Sequence, residues 1–113
     1  MTGPTLYHNP RCSKSRQALA ILQASGIEPR IVEYLKTPPD AATLKTLLEL
    51  LKLPAAAVLR KKEAAEAGID ATADEATLIR GIAAHPEVLE RPIFVHKGRA
   101  VLGRPPEKVL EIL

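Results

Sequence analysis

The sequence predicts one α/β domain in which a β-α-β unit is followed by a helical block and then by β-β-α. Three observations carry this expectation. The β-prone run Thr5-Leu6-Tyr7 gives way within a few residues to a helical stretch. Leu44, Leu47, Leu48 and Leu51 fall at i, i+3, i+4 and i+7, the apolar stripe of a helix packed on a core. Near the end, two short apolar runs are joined by a connection containing glycine, the signature of a hairpin.

Taken in order, Thr5-Leu6-Tyr7 meets His8-Asn9-Pro10, and Ser13 to Ala24 then reads as a helix with Leu19 and Leu22 on one face. Gly26 stops it, and Ile31-Val32-Glu33-Tyr34 reads as a second strand. Thr37-Pro38-Pro39-Asp40 is a turn into the helix Asp40 to Leu51. Pro54 breaks that pattern, and Ala55 to Ala67 reads as two short helical pieces meeting near Leu59-Arg60-Lys61-Lys62. A further helix is expected from Thr72 to His85, with Leu78, Ile79 and Ile82 on one face and Pro86 closing it. The strands Ile93-Phe94-Val95 and Ala100-Val101-Leu102 are joined through His96-Lys97-Gly98-Arg99. A terminal helix is expected from Pro106 to Ile112.

A chain of 113 residues fits one compact core, so a single domain spanning 1–113 is expected, with the helical block at about 40–86 as an insertion between two halves of a sheet. The order is thioredoxin/glutaredoxin-like. In that fold the first strand delivers a cysteine to the start of the first helix, and Cys12 stands at that place. With 46% hydrophobic and 26% charged residues the composition is that of a folded globular domain. No basic segment with a long apolar run opens the chain and no stretch approaches spanning length, so a cytoplasmic protein without membrane attachment is expected. The net charge of +3 is mild, the 16 basic residues are scattered, and Tyr7, Tyr34 and Phe94 are the whole aromatic content. Nucleic acid is a poor fit to that surface, and a small anion a better one.

Cys12 lies in His8-Asn9-Pro10-Arg11-Cys12-Ser13-Lys14-Ser15-Arg16. A helix start aims backbone N–H groups and the positive end of the macrodipole at the sulfur, and Arg11, Lys14 and Arg16 add cationic field. A buried structural cysteine wants apolar neighbours rather than three bases and two serines. The reading is therefore a reactive thiolate. Where dithiol oxidoreductases carry Cys-x-x-Cys, this chain has Cys12-x-x-Ser15, so electrons must come from another molecule. The abundant cytosolic donor is glutathione, which predicts a mixed disulfide on Cys12 cleared by glutathione or glutaredoxin.

Several separated motifs add to this: Tyr7-His8-Asn9-Pro10 with Cys12, Ser15 and Arg16; Tyr34-Leu35 and Thr37-Pro38; Leu59-Arg60-Lys61; Glu90-Arg91-Pro92-Ile93; and Gly103-Arg104-Pro105. Together they resemble, nearly end to end, the glutaredoxin-linked arsenate reductases. The resemblance implies that Cys12 attacks the arsenate oxyanion and that Arg60, Arg91 and Arg104 bind it, with supporting roles for His8 and Ser15. It further implies glutathione as co-substrate, glutaredoxin as partner and a place in arsenical resistance. It also implies a cis peptide bond at Arg91-Pro92; an ordinary proline opening an edge strand is the alternative. The residue types suit that chemistry, because a thiolate approaching an oxyanion meets like charge and guanidinium forks relieve it.

Other chemistries find no support. His85 and His96 are isolated and one cysteine makes no ligand set, so neither a metal nor a bound cofactor is expected. Ala18 stands six residues after Cys12, which excludes the Cys-x5-Arg loop of phosphatase-like reductases. Two alternatives share the cysteine: a general glutathione-dependent thiol oxidoreductase, and an Spx-like redox regulator without enzyme activity. The arginine trio favours the reductase over the first, and the lack of a dithiol disfavours the second.

Overall fold

The computed structural model describes residues 3–113, so the expected start of the domain at Met1 lies outside the described residues. The chain divides into two compact units, one containing the segment up to Thr37 together with Arg91–Leu113, the other Pro38–Glu90. The helical block expected at 40–86 falls within the second.

The first unit holds strands β1 (Thr5–His8), β2 (Arg30–Glu33), β3 (Ile93–His96) and β4 (Arg99–Leu102), with helix α1 (Ser13–Ala24) and a 3₁₀ helix at Pro106–Ile112. The sheet order is β2-β1-β3-β4. β1 and β2 run parallel, joined by α1, and the other pairs are antiparallel. This is the thioredoxin-like arrangement expected from the sequence. β1 is flanked on both sides, and all four of its residues are buried.

Leu6 and Phe94 face each other across β1 and β3, and both are fully buried. They pack with Ala18 and Leu22 of α1 and with Val109 and Ile112 of the terminal helix. That helix is 3₁₀ rather than α. Its buried residues Pro106, Val109 and Ile112 repeat every three positions, which three residues per turn place on one line. Phe94→Ala, by emptying the centre of this core, is expected to cost ~3–5 kcal/mol in urea-unfolding free energy.

The hairpin differs from expectation. Each strand runs one residue further, pairing His96 with Arg99, so Lys97-Gly98 is a two-residue turn. Both turn residues have positive φ, 54° and 72°, which matches the right-handed twist of the flanking strands.

The second unit contains α2 (Ala41–Leu51), a 3₁₀ turn at Ala55–Val58, α3 (Lys61–Glu66), α4 (Glu75–Ala84) and a 3₁₀ turn at Pro86–Val88. Asp40 caps α2, accepting from the Thr43 N–H at 2.8 Å. The helix expected from Thr72 begins only at Glu75. Asp70 binds both the N–H and the hydroxyl of Thr72, holding a turn, and Asp74 then caps α4 through the Thr77 N–H. Leu59 and Leu89 form an isolated antiparallel bridge. It is flanked by bonds from Arg60 N–H to Val88 C=O and from Glu90 N–H to Val58 C=O, both 2.7 Å. Among the described residues no helix is long and apolar enough to cross a membrane.

Candidate active site

The site begins where β1 ends. Asn9 builds the loop: its C=O accepts the Cys12 N–H at 3.0 Å and its Oδ1 accepts the Arg11 N–H at 3.0 Å. Such local bonding is what asparagine favours at turns. The Arg16 guanidinium donates to the Pro10 C=O at 2.9 Å, fixing the loop from the first turn of α1. Cys12 is the N-cap of α1, with extended backbone, and is half-buried.

Burial alone pushes the Cys12 thiol up, because the thiolate loses water. That is outweighed by the Ser15 N–H, the Arg91 guanidinium and the Lys14 N–H, all of which stabilise the anion. The net result is a thiol held below its ordinary value. The thiolate therefore persists to lower pH than in a free thiol, and nucleophilic rate is lost only as pH falls through the depressed value. Alkylation of Cys12 by iodoacetamide against pH is expected to show a midpoint below the ordinary thiol value of about 8.5. A midpoint at or above it would mean an inert cysteine.

The Arg104 Nη1 lies 4.0 Å from Cys12 Sγ and donates to the Arg91 C=O at 2.9 Å. Arg91 and Arg104 are each followed by a proline, and both peptide bonds, Arg91-Pro92 and Arg104-Pro105, are cis. The first was among the implications of the resemblance; the second was not anticipated. Arg91 Nε is buried without a hydrogen-bond partner, a donor held in place with its capacity unspent.

His8 and Ser15 form a buried pair behind the loop. Ser15 Oγ lies 2.6 Å from His8 Nδ1 and accepts the Asn9 N–H at 3.0 Å. Ser15 Oγ keeps a second lone pair as well as its proton, so this bond to His8 forms with either tautomer of the neutral imidazole. Burial likewise lowers the His8 pKa, with Glu33 opposing and Arg16 reinforcing that shift. The pair therefore braces the Cys12 loop through Asn9.

Arg60 belongs to the second unit, where it is the N-cap residue of α3. Its Nε donates to Glu63 at 2.5 Å and its Nη1 to Glu90 at 2.9 Å, all three side chains being about three-quarters buried. Of the residues singled out by sequence, the first unit thus gathers Cys12, Arg91 and Arg104 at one point, with His8 and Ser15 beneath. Sequence reasoning gave no role to Asn9, although an Asn-Pro pair before a helix is a turn signal. The Lys14 and Ser15 N–H groups are the helix-start donors expected at the sulfur from the placement of Cys12.

Residues 7–112 match the model of the ArsC family. The uncharacterized protein YfgD of Escherichia coli K12 is 47% identical over 112 residues, covering 96% of this chain and 94% of its own. A protein named arsenate reductase from Neisseria meningitidis is 45% identical, covering 96% of each chain. The solved structure of an arsenate reductase from Vibrio cholerae superposes with a TM-score of 0.88 at 43% identity, covering 97% of each chain. With a family match across nearly its whole length and a thioredoxin-like sheet delivering Cys12 to the start of α1, this chain belongs to the ArsC family.

Proposed function

We propose that the protein reduces arsenate to arsenite with glutathione as electron donor. The observation that carries this reading is the convergence of a stabilised Cys12 thiolate with Arg91 and Arg104, a nucleophile paired with donors for an oxyanion. The relatives' names as arsenate reductases agree with it.

In the first step Cys12 Sγ bonds to arsenic and one arsenate oxygen leaves as water, taking up protons. Glutathione thiolate then attacks the adduct. A Cys12–glutathione disulfide forms, arsenic takes the electron pair and passes from the +5 to the +3 state, and arsenite departs. Two thiols are oxidised for one arsenic reduced. The mixed disulfide is cleared by glutaredoxin or a second glutathione through thiol exchange, since Ser15 stands where a resolving thiol would be. Arg91 and Arg104, joined in this reading by Arg60, neutralise the oxyanion as the thiolate approaches. His8 and Ser15 hold the loop that presents the sulfur.

The test is steady-state arsenite production from arsenate with glutathione and glutaredoxin, each omitted in turn, beside a neutral disulfide substrate. Arsenite formation that requires glutathione and is speeded by glutaredoxin supports the reading. Disulfide cleavage without arsenite would replace it with a general thiol oxidoreductase.

A further inference from the structure

The two arginines at Cys12 sit on neighbouring turns, and one small residue joins those turns. Beyond the last strand pair, Ile93 with Leu102, the ladder continues through the Gly103 N–H to the Pro92 C=O at 2.9 Å. Gly103 is buried, and its backbone is not in the left-handed region, so chain conformation does not explain the glycine. Space does. A Cβ at position 103 would lie 2.8 Å from Pro92 Cγ and 3.3 Å from Val109 Cγ1, where ordinary contact begins at 3.4 Å. The obstructing atom belongs to a buried proline ring tied to the backbone, not to a flexible side-chain end.

What lies on either side of this contact is the site. Arg91 precedes Pro92 and supports the Cys12 anion, while Arg104 follows Gly103. The Arg104 guanidinium is aimed by the Arg91 C=O, 2.9 Å away, and reaches Cys12 Sγ at 4.0 Å. A displacement of Pro92 therefore moves the Arg91 carbonyl and, with it, both cationic groups.

We propose that Gly103 is a positioning residue of the site: the missing side chain lets the end of β4 lie against the Pro92 ring, and this contact sets the Arg91 and Arg104 guanidiniums at the Cys12 sulfur. Its activity arm rests on the arsenate-reductase reading; its thiolate arm does not.

The experiment compares Gly103→Ala, Val109→Ala and the double variant by thiolate absorbance against pH, melting temperature and kcat/KM for arsenate. Gly103→Ala is expected to raise the Cys12 titration midpoint toward that of a free thiol. It should also lower kcat/KM by about 10- to 100-fold, the scale of loss when reacting groups are misplaced by about an ångström. Val109→Ala removes core packing without pressing on Pro92, so it should lower the melting temperature and leave the midpoint in place. In the double variant the new methyl can move into the space Val109 leaves, so its midpoint should fall between those of the wild type and Gly103→Ala. This coupling is what a double-mutant cycle isolates. If Gly103→Ala does not fold, the double variant takes its place, and its midpoint should exceed that of Val109→Ala.

A wild-type midpoint in folded Gly103→Ala overturns the proposal. So does a shift that Val109→Ala reproduces in proportion to its loss of stability. Should the wild type make no arsenite, the function reading falls while the titration still decides the role of Gly103.

Discussion

Cys12→Ser is expected to fold as the wild type does and to lose arsenate reduction, with a fall in kcat on the order of 10⁶, the scale seen when a covalent nucleophile is removed. Nothing in the core depends on the sulfur. Cys12 caps α1 without a side-chain hydrogen bond, and the loop is held by Asn9, Ser15 and Arg16. The groups that stabilise the thiolate offer a serine hydroxyl far less. A hydroxyl stays protonated near neutral pH in this field, and its oxygen is a poor nucleophile without an adjacent base. The His8 Nδ1 is already engaged by the Ser15 hydroxyl. Mass spectrometry after incubation with oxidised glutathione should show the mixed disulfide on the wild type and none on the variant. Arsenite production by the variant at more than a trace would place the nucleophile elsewhere and sink the thiolate mechanism.

How far this was legible beforehand differs between the parts of the molecule. α1 and the stripe of α2 follow from helical spacing, and both helices run where periodicity puts them, since Leu22, Leu44, Leu47 and Leu48 are all buried. The reactive cysteine was legible because its neighbours in sequence are also its neighbours in space. The hairpin turn and the start of α4 were misjudged by one to three residues. Their limits depend on which backbone N–H a particular Asp or turn residue takes, and spacing carries no such information. The link between Arg91 and Arg104 was not legible at all. It joins residues 13 apart through a side chain, a carbonyl and two cis prolines, and no periodic pattern encodes that. The engagement of Arg60 by Glu63 and Glu90 was half visible: Glu63 stands one helical turn away, but Glu90 arrives only through the bridge between Leu59 and Leu89.

Arg104→Ala is expected to reduce arsenate turnover by about 10² to 10³, the ~2.7–4 kcal/mol that one positioned donor to a developing anion contributes. Cleavage of a neutral mixed disulfide by the same variant should change far less. The difference lies in charge. An oxyanion beside a thiolate must have its charge matched through the whole reaction, whereas a neutral disulfide makes no such demand. The Arg104 Nη1 spans the gap between the Arg91 C=O and Cys12 Sγ, so its loss removes a donor from the sulfur and releases the Arg91 turn together. Arg91→Ala should show the same selectivity with one addition, a rise in the Cys12 midpoint, because its guanidinium stabilises the thiolate directly. Arg104→Lys should recover only part of the activity, since an ammonium restores charge but not the planar fork that can face both an oxyanion and a carbonyl. Arg60→Ala has to be read beside its melting temperature, because it leaves the largely buried carboxylates of Glu63 and Glu90 without their shared cation. Equal loss of both activities in Arg91→Ala and Arg104→Ala, or loss of neither, would mean that the arginines serve the thiolate or the fold rather than an oxyanion. General glutathione-dependent thiol exchange would then be the better account of Cys12.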